Sequence, residues 1–303
     1  MSLAKSIEMA FKGVQFSLKE AYERFLPRGY PKEQIRARIY EQLGKAFQRV
    51  GRGLYVSLDE DVALIEGDGR DISFIKDNSI QLLLTDHPWE DEKSNKGGNR
   101  AFASYETFRY TEEDFKEKAR VLQDGCFCVE FLPAENENNY EYLYEIKKMA
   151  QKAGLNYFCK VPWTKGTFVA NTGRKAKNTE DVMIFVKGKP RAMRPDAKKD
   201  KNNPATAPHY MSGCRGMLPT DFNVQPPSKN ERIHQSEKPV ELIERLLDYL
   251  TFEGELVLDQ FAGSGVTGEA CRNKSRLCIL IEKSKECCKK IAERLNLKPA
   301  AAY

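Results

Sequence analysis

The sequence predicts an α/β protein: a doubly wound, mostly parallel sheet covered by helices on both faces, with a small helical module before it and an irregular insertion within it. Three observations carry this. From Val62 onward, short apolar runs alternate with segments of helical period. Several of those runs end in a carboxylate. Residues 187–233 then break the pattern with Gly, Pro, Asn and a succession of Lys and Arg. The expected units are a module at 1–58, a first half of the sheet at 59–186, the insertion at 187–233 and a second half at 234–303. A hydrophobic content of 41% is enough to fill a core in a chain of 303 residues.

Charge and cysteine usage narrow the class. Lys plus Arg at 49 against Asp plus Glu at 44 gives +5, which permits a polyanionic partner and excludes a histone-like tail. No window approaches the roughly 20 apolar residues needed to span a bilayer, and residues 1–10 lack a signal-peptide pattern, so a cytoplasmic protein is expected. Cys126 and Cys128 bracket Phe127 in an apolar run and share one strand face, while Cys287 and Cys288 are adjacent. Neither pair has metal-knuckle spacing, and with only His87, His209 and His234 available no metal is expected.

In the N-terminal segment Ser17 and Glu20 have capping-box spacing ahead of a helix whose Leu18, Tyr22 and Phe25 share a face. Pro31 opens the next helix, with Ile35, Ile39 and Leu43 in a stripe, and Leu54–Val56 reads as an edge strand. The segment resembles a winged-helix module, which makes Arg36 and Arg38 candidate contacts to DNA phosphate. A solvated charged face on an accessory helix is the competing reading.

The sheet grammar follows. Val62–Ile65 ends at Glu66-Gly67-Asp68, and Ile80–Leu84 ends at Thr85-Asp86. Helices are expected over Thr111–Leu122 and Tyr140–Lys152, and strands over Cys126–Leu132, Tyr157–Val161 and Asp181–Val186. Beyond the insertion, Leu242, Leu246 and Tyr249 mark a helix. Two strands follow, Leu256–Asp259 and Leu277–Ile281, the second running into Glu282, and then a helix at Lys285–Leu295.

The loop Asp259-Gln260-Phe261-Ala262-Gly263-Ser264-Gly265 lies between a buried strand and a helix, where glycines allow a tight turn and a close approach of backbone to ligand. Its exposed amides suit a carboxylate or phosphate. Glu282, at the end of the next strand, is placed to accept hydrogen bonds from ribose hydroxyls. The layout is Rossmann-like.

These residues, together with His234-Gln235-Ser236-Glu237-Lys238-Pro239 and Thr85-Asp86-His87-Pro88-Trp89, resemble the amino-methylating DNA methyltransferases that use S-adenosylmethionine. The resemblance runs from Val62 to Leu295. It departs from the family pattern at Gln260 and at His87, where proline is usual. The Asp86 motif precedes the cofactor loop with the basic insertion between them, which is the permuted order of the family's beta class. The resemblance implies Asp86, His87, Pro88 and Trp89 as the catalytic tetrapeptide. It implies a cofactor set of Asp259, Phe261, Gly263, Ser264, Gly265, Glu282 and Lys238. Asp68 is either a contact to the cofactor adenine or a cap. Residues 187–233 become a target-recognition region, with Lys187, Lys189, Arg191 and Arg194 as contacts to double-stranded DNA. A homodimer and a partner nuclease are also implied.

The chemistry fits those residues. An exocyclic amino nitrogen is a weak nucleophile because its lone pair is delocalised, and two acceptors holding its two hydrogens favour tetrahedral geometry and stabilise the growing positive charge. The Asp86 carboxylate is one acceptor, and by the resemblance the His87 carbonyl is the second. Trp89 offers a flat face for a flipped base. The expected activity is N6 methylation of adenine. Its alternatives are N4-cytosine methylation, methylation of an RNA amino group, or a DNA-binding regulator on a weakened methyltransferase fold.

Overall fold

The computed structural model describes residues 2–11, 15–43, 46–51, 53–57, 61–89, 107–166, 179–193, 218–228, 232 and 237–297. Residues 3–57 build a unit with its own core: α1 (Leu3–Ala10), β1 (Gln15–Ser17), α2 (Leu18–Phe25), α3 (Lys32–Glu41), β2 (Phe47–Gly51) and β3 (Leu54–Ser57). The strands form an antiparallel sheet of order β1-β3-β2. Ile7, Phe16, Phe25, Ile35, Ile39 and Tyr55 are buried together beneath it. The expected capping box at Ser17 and Glu20 is present. Strand β1 was not expected, because three residues become a strand only through their distant partner β3.

The second sheet has eight strands. It comprises β4 (Val62–Glu66), β5 (Ile80–Thr85), α4 (Glu112–Val121), β6 (Leu122–Pro133), α5 (Tyr140–Lys152), β7 (Leu155–Thr164), β8 (Thr179–Lys187), β9 (Phe222–Asn223), α6 (Val240–Leu250), β10 (Leu256–Asp259), α7 (Val266–Asn273), β11 (Leu277–Glu282) and α8 (Lys285–Arg294). The order is β4-β11-β10-β5-β6-β8-β7-β9, parallel from β4 through β6, with β8 antiparallel to both of its neighbours. Alternate residues of each central strand enter different cores. Leu82, Leu84, Phe127 and Val129 pack with α6, α7 and Ile291 on one face. Leu83, Cys126, Cys128 and Ile279 pack with Phe115, Leu143 and Ile146 on the other. Burial on both faces is why these strands read as continuous apolar runs.

Among the described residues no helix is long and apolar enough to cross a membrane.

Candidate active site

Strands β10 and β5 are parallel neighbours, Leu258 pairing with Leu83, yet their connections leave in opposite directions. The chain after β10 passes through α7 to β11 on one side, and the chain after β5 passes through α4 to β6 on the other. A crevice opens at such a point above the carboxyl ends of the strands. The Asp259–Gly265 loop and the Asp86–Trp89 turn both rise into it.

The loop after β10 has the backbone its glycines imply. Gly263 and Gly265 have φ of +53° and +77°, and a Cβ on Gly265 would stand 2.8 Å from Ile291 Cγ2 on α8. Gly268 supplies close packing of α7, since its Cβ would meet Leu280 and Leu295 at 2.9 Å. Glu282 ends β11 beside the loop. One of its carboxylate oxygens accepts from Gly263 N at 2.8 Å and the other from Ser284 N at 2.7 Å. Ser264 is buried. Phe261 packs 5.5 Å from Phe108, centroid to centroid.

Asp259 is also buried, accepting from Thr267 Oγ1 at 2.5 Å and from Phe261 N at 3.0 Å. Burial raises its carboxyl to about 7, with the charges of Asp86 and Glu282 adding to the rise against those two hydrogen bonds.

Gln260, one of the two departures from the resembled pattern, ties the loop to its neighbour. Its Nε2 donates to Gly69 O at 2.7 Å, and Gly69 lies so close that a Cβ would sit 1.8 Å from Gln260 O. Asp68 closes its own turn, accepting from Arg70 N at 3.0 Å, and pairs with Lys283 at 3.3 Å.

At the end of β5 the tetrapeptide forms a tight turn in which Trp89 N donates to His87 O at 2.8 Å and Phe108 N donates to Pro88 O at 3.1 Å. Asp86 and Trp89 are partly exposed, whereas the His87 ring is buried below the crevice.

The Lys238 ammonium is 2.5 Å from Asp86 Oδ2 and 3.3 Å from Glu180 Oε2, and it lies over the rings of Phe131 and Trp163. Lys165 in turn pairs with Glu180. Burial raises the Asp86 carboxyl above its ordinary value against the pull of Lys238, while Asp86 and Glu180 hold the ammonium well above its own. Lys238, expected in the cofactor set, makes its ion pairs with Asp86 and Glu180. Glu180 and Lys165 were missed. They stand 15 positions apart in sequence, and only the register of β7 on β8 brings them together.

The basic residues expected to meet DNA divide. Because β8 runs antiparallel, it begins near the crevice and ends at the opposite edge of the sheet. Lys187 there donates to Asn78 Oδ1 and Leu122 O, and Arg191 makes a two-point pair with Glu255. Lys189 is exposed at that same edge, its carbonyl close to Gly125. Lys187, Lys189 and Arg191 thus lie at the end of β8 remote from Asp86. Arg194 and His234–Ser236 lie outside the described residues. In α3, Arg36 is exposed and Arg38 pairs with Glu41.

Comparison with known proteins agrees with this fold. The chain is 26% identical over 234 residues to the Type II methyltransferase M.HpaI of Haemophilus parainfluenzae, covering 73% of this chain and 70% of that one. It is 23% identical over 227 residues to the Type II methyltransferase M.BglII of Bacillus subtilis, covering 70% and 62%. Among solved structures, the M1.HpyAVI–SAM complex superposes with a TM-score of 0.55 at 22% identity, over 78% of this chain and all of that one. The cytosine-N4-specific PvuII DNA methyltransferase superposes at 0.56 and 17%, over 80% and 88%. A family model described as DNA methylase, N6_N4_Mtase, matches residues 80–294, from the first residue of β5 to the last of α8, and the chain belongs to that family.

Proposed function

We propose that the chain methylates the N6 amino group of adenine in double-stranded DNA. The observation that carries this reading is the Asp86 carboxylate at the end of β5, across the switch point from the Asp259–Gly265 loop. The residues present fit S-adenosylmethionine, the methyl donor of the family. Gly263 leaves open space against the backbone, Gly265 seats the loop on α8, Asp259 is a buried carboxylate suited to an ammonium group, and Glu282 stands beside them. When bound, this cofactor supplies a methyl group on a positively charged sulfur.

The protein's part is to hold the amino group. Lys238 occupies one oxygen of Asp86, which keeps the carboxylate oriented and favours its charged form. The other oxygen is left to accept one amino hydrogen, and the His87 carbonyl, with a second lone pair beyond its bond to Trp89 N, accepts the other. Both acceptors are fixed before the reaction and oppose the positive charge that develops on nitrogen. The proton released after transfer passes to Asp86 and then to solvent. The acid at position 86 favours adenine, since in the resembled family serine is commoner among cytosine enzymes. The same reading extends to phosphate contact by Arg36 and Arg38, to a homodimer, and to a partner nuclease.

Incubation with methyl-labelled cofactor and genomic DNA free of amino methylation, followed by nucleoside analysis, is expected to give N6-methyladenine. Label in N4-methylcytosine, or in RNA in preference to DNA, overturns the assignment.

The cofactor pocket also titrates. With its carboxyl at about 7, Asp259 is part protonated in the free protein at neutral pH. A cationic ligand binds the ionised form better, so uptake releases a proton. Affinity for S-adenosylmethionine is therefore expected to rise with pH from 6 to 8 and then level off, and Asp259→Asn is expected to flatten the profile. Calorimetry across that range in buffers of different ionisation heat measures both.

A further inference from the structure

His87 stands where the resembled pattern has its first proline, and its side chain runs into a buried polar network behind the catalytic turn. The ring is 1% exposed and lies 4.0 Å from the Tyr110 ring, centroid to centroid. Its Nε2 is 3.1 Å from Tyr142 Oη, and that oxygen already accepts from Tyr110 N at 3.1 Å. On the other side Nδ1 faces Glu130 Oε2 at 3.9 Å with no hydrogen-bond partner among the described residues.

Glu130 is fully buried, paired with Lys118, and accepts from Thr85 Oγ1 and Tyr110 Oη at 3.0 Å each. A bare Nδ1 lone pair would face that carboxylate with like charge, so the proton belongs on Nδ1. Nε2 is then an acceptor, and the single hydroxyl hydrogen of Tyr142 goes to it. Burial and the Lys118 charge keep the imidazole neutral, its proton affinity well below the ordinary value.

We propose that the neutral His87 imidazole, accepting from Tyr142 and backed by Glu130, is the positioning group that fixes the Asp86–Pro88 turn, in place of the ring of a proline. The proposal rests on the roles given above to the Asp86 carboxylate and the His87 carbonyl. A proline ring restrains the backbone by fixing φ. Here the restraint comes from below: Thr85, just before the acid, and His87, just after it, both end in the Tyr142–Glu130 network. Pro88, next in line, is held by Phe108 N. The side chains of Asp86 and His87 point to opposite sides of the turn, so anchoring one directs the other.

The test is a cycle of variants in the full chain, read by single-turnover methyl transfer to genomic DNA and by calorimetry of cofactor binding. His87→Ala is expected to slow transfer by about 100-fold, the scale of a small misplacement of reacting groups, with cofactor affinity unchanged. Tyr142→Phe, which removes the donor to His87 and the acceptor of Tyr110 N, is expected to slow it by about 10-fold, the share carried by the bond to His87. The double variant should be no slower than His87→Ala alone, because both act through one contact. His87→Pro should recover most of the lost rate. Multiplying effects, an unimpaired His87→Ala, or a folded His87→Pro as slow as His87→Ala each overturns the proposal. If His87→Pro does not fold, the cycle with Tyr142 decides alone. Asp86→Ala run alongside separates the two levels: an active Asp86→Ala sinks the proposed function, and an inactive one beside unaffected His87 and Tyr142 variants sinks only this inference.

Discussion

Asp86→Ala is expected to reduce methyl transfer by at least about 100- to 1,000-fold, the loss typical of removing one fixed group that stabilises charge in a transition state. Cofactor affinity should stay within about twofold, because the acid rises from β5 while the cofactor loop rises from β10. The split between rate and binding is the informative part. An amino group held only by the His87 carbonyl keeps its lone pair delocalised, so the barrier rises without a change in what the Asp259–Gly265 loop sees. Lys238 retains Glu180 as a partner in the variant, so its charge is not left alone in a buried place. Rapid-quench transfer with labelled cofactor and calorimetry on the same preparation measure the two quantities. Turnover near wild type would remove Asp86 from the chemistry.

Gly265→Trp is expected to abolish cofactor uptake, for two reasons that add. The backbone there has φ of +77°, which costs a residue with a side chain about 1–2 kcal/mol. The first side-chain atom would also stand 2.8 Å from Ile291 Cγ2, so an indole would have to push α8 away or fill the crevice. Gly263→Ala is the graded control. It shares a positive φ of +53° but has open space, with Phe261 O the nearest atom at 3.9 Å, so only the strain remains and binding should weaken by about tenfold. Calorimetry that finds Gly265→Trp binding normally would dismiss this loop as the cofactor cradle.

Much of the sheet could be read from the chain because its signals are local. The helix Tyr140–Lys152 was expected at the bounds the structure shows, and the runs ending at Glu66, Asp86, Asp259 and Glu282 are strands that end there or one residue earlier. A buried parallel strand needs only a short apolar run, and a carboxylate at its end marks the change to loop. Contacts across the sheet left no such trace. Strand β6 starts at Leu122 rather than Cys126 because Leu122 pairs with Ile80 across an irregular register, a fact of another strand.

The site divides in the same way. Asp86 and the glycine loop were visible as motifs. The Lys238 bridge, the fate of the His87 ring and the Glu130–Lys118 pair depend on residues brought together from 12 to 152 positions apart. Composition records the charge of Lys187, Lys189 and Arg191 but not their direction, and the antiparallel course of β8 carries them to the end of that strand remote from Asp86.

The sheet order also has a consequence in time. Strand β4 is made first among the eight, yet its partner in the sheet is β11, made last, and Gly265 is seated against α8, which follows β11. A nascent chain made only as far as β10 therefore has an unfinished edge and no floor under its ligand loop. Pairings this distant in sequence form slowly, so the seat of the ligand loop is completed only after β11 and α8 have been made.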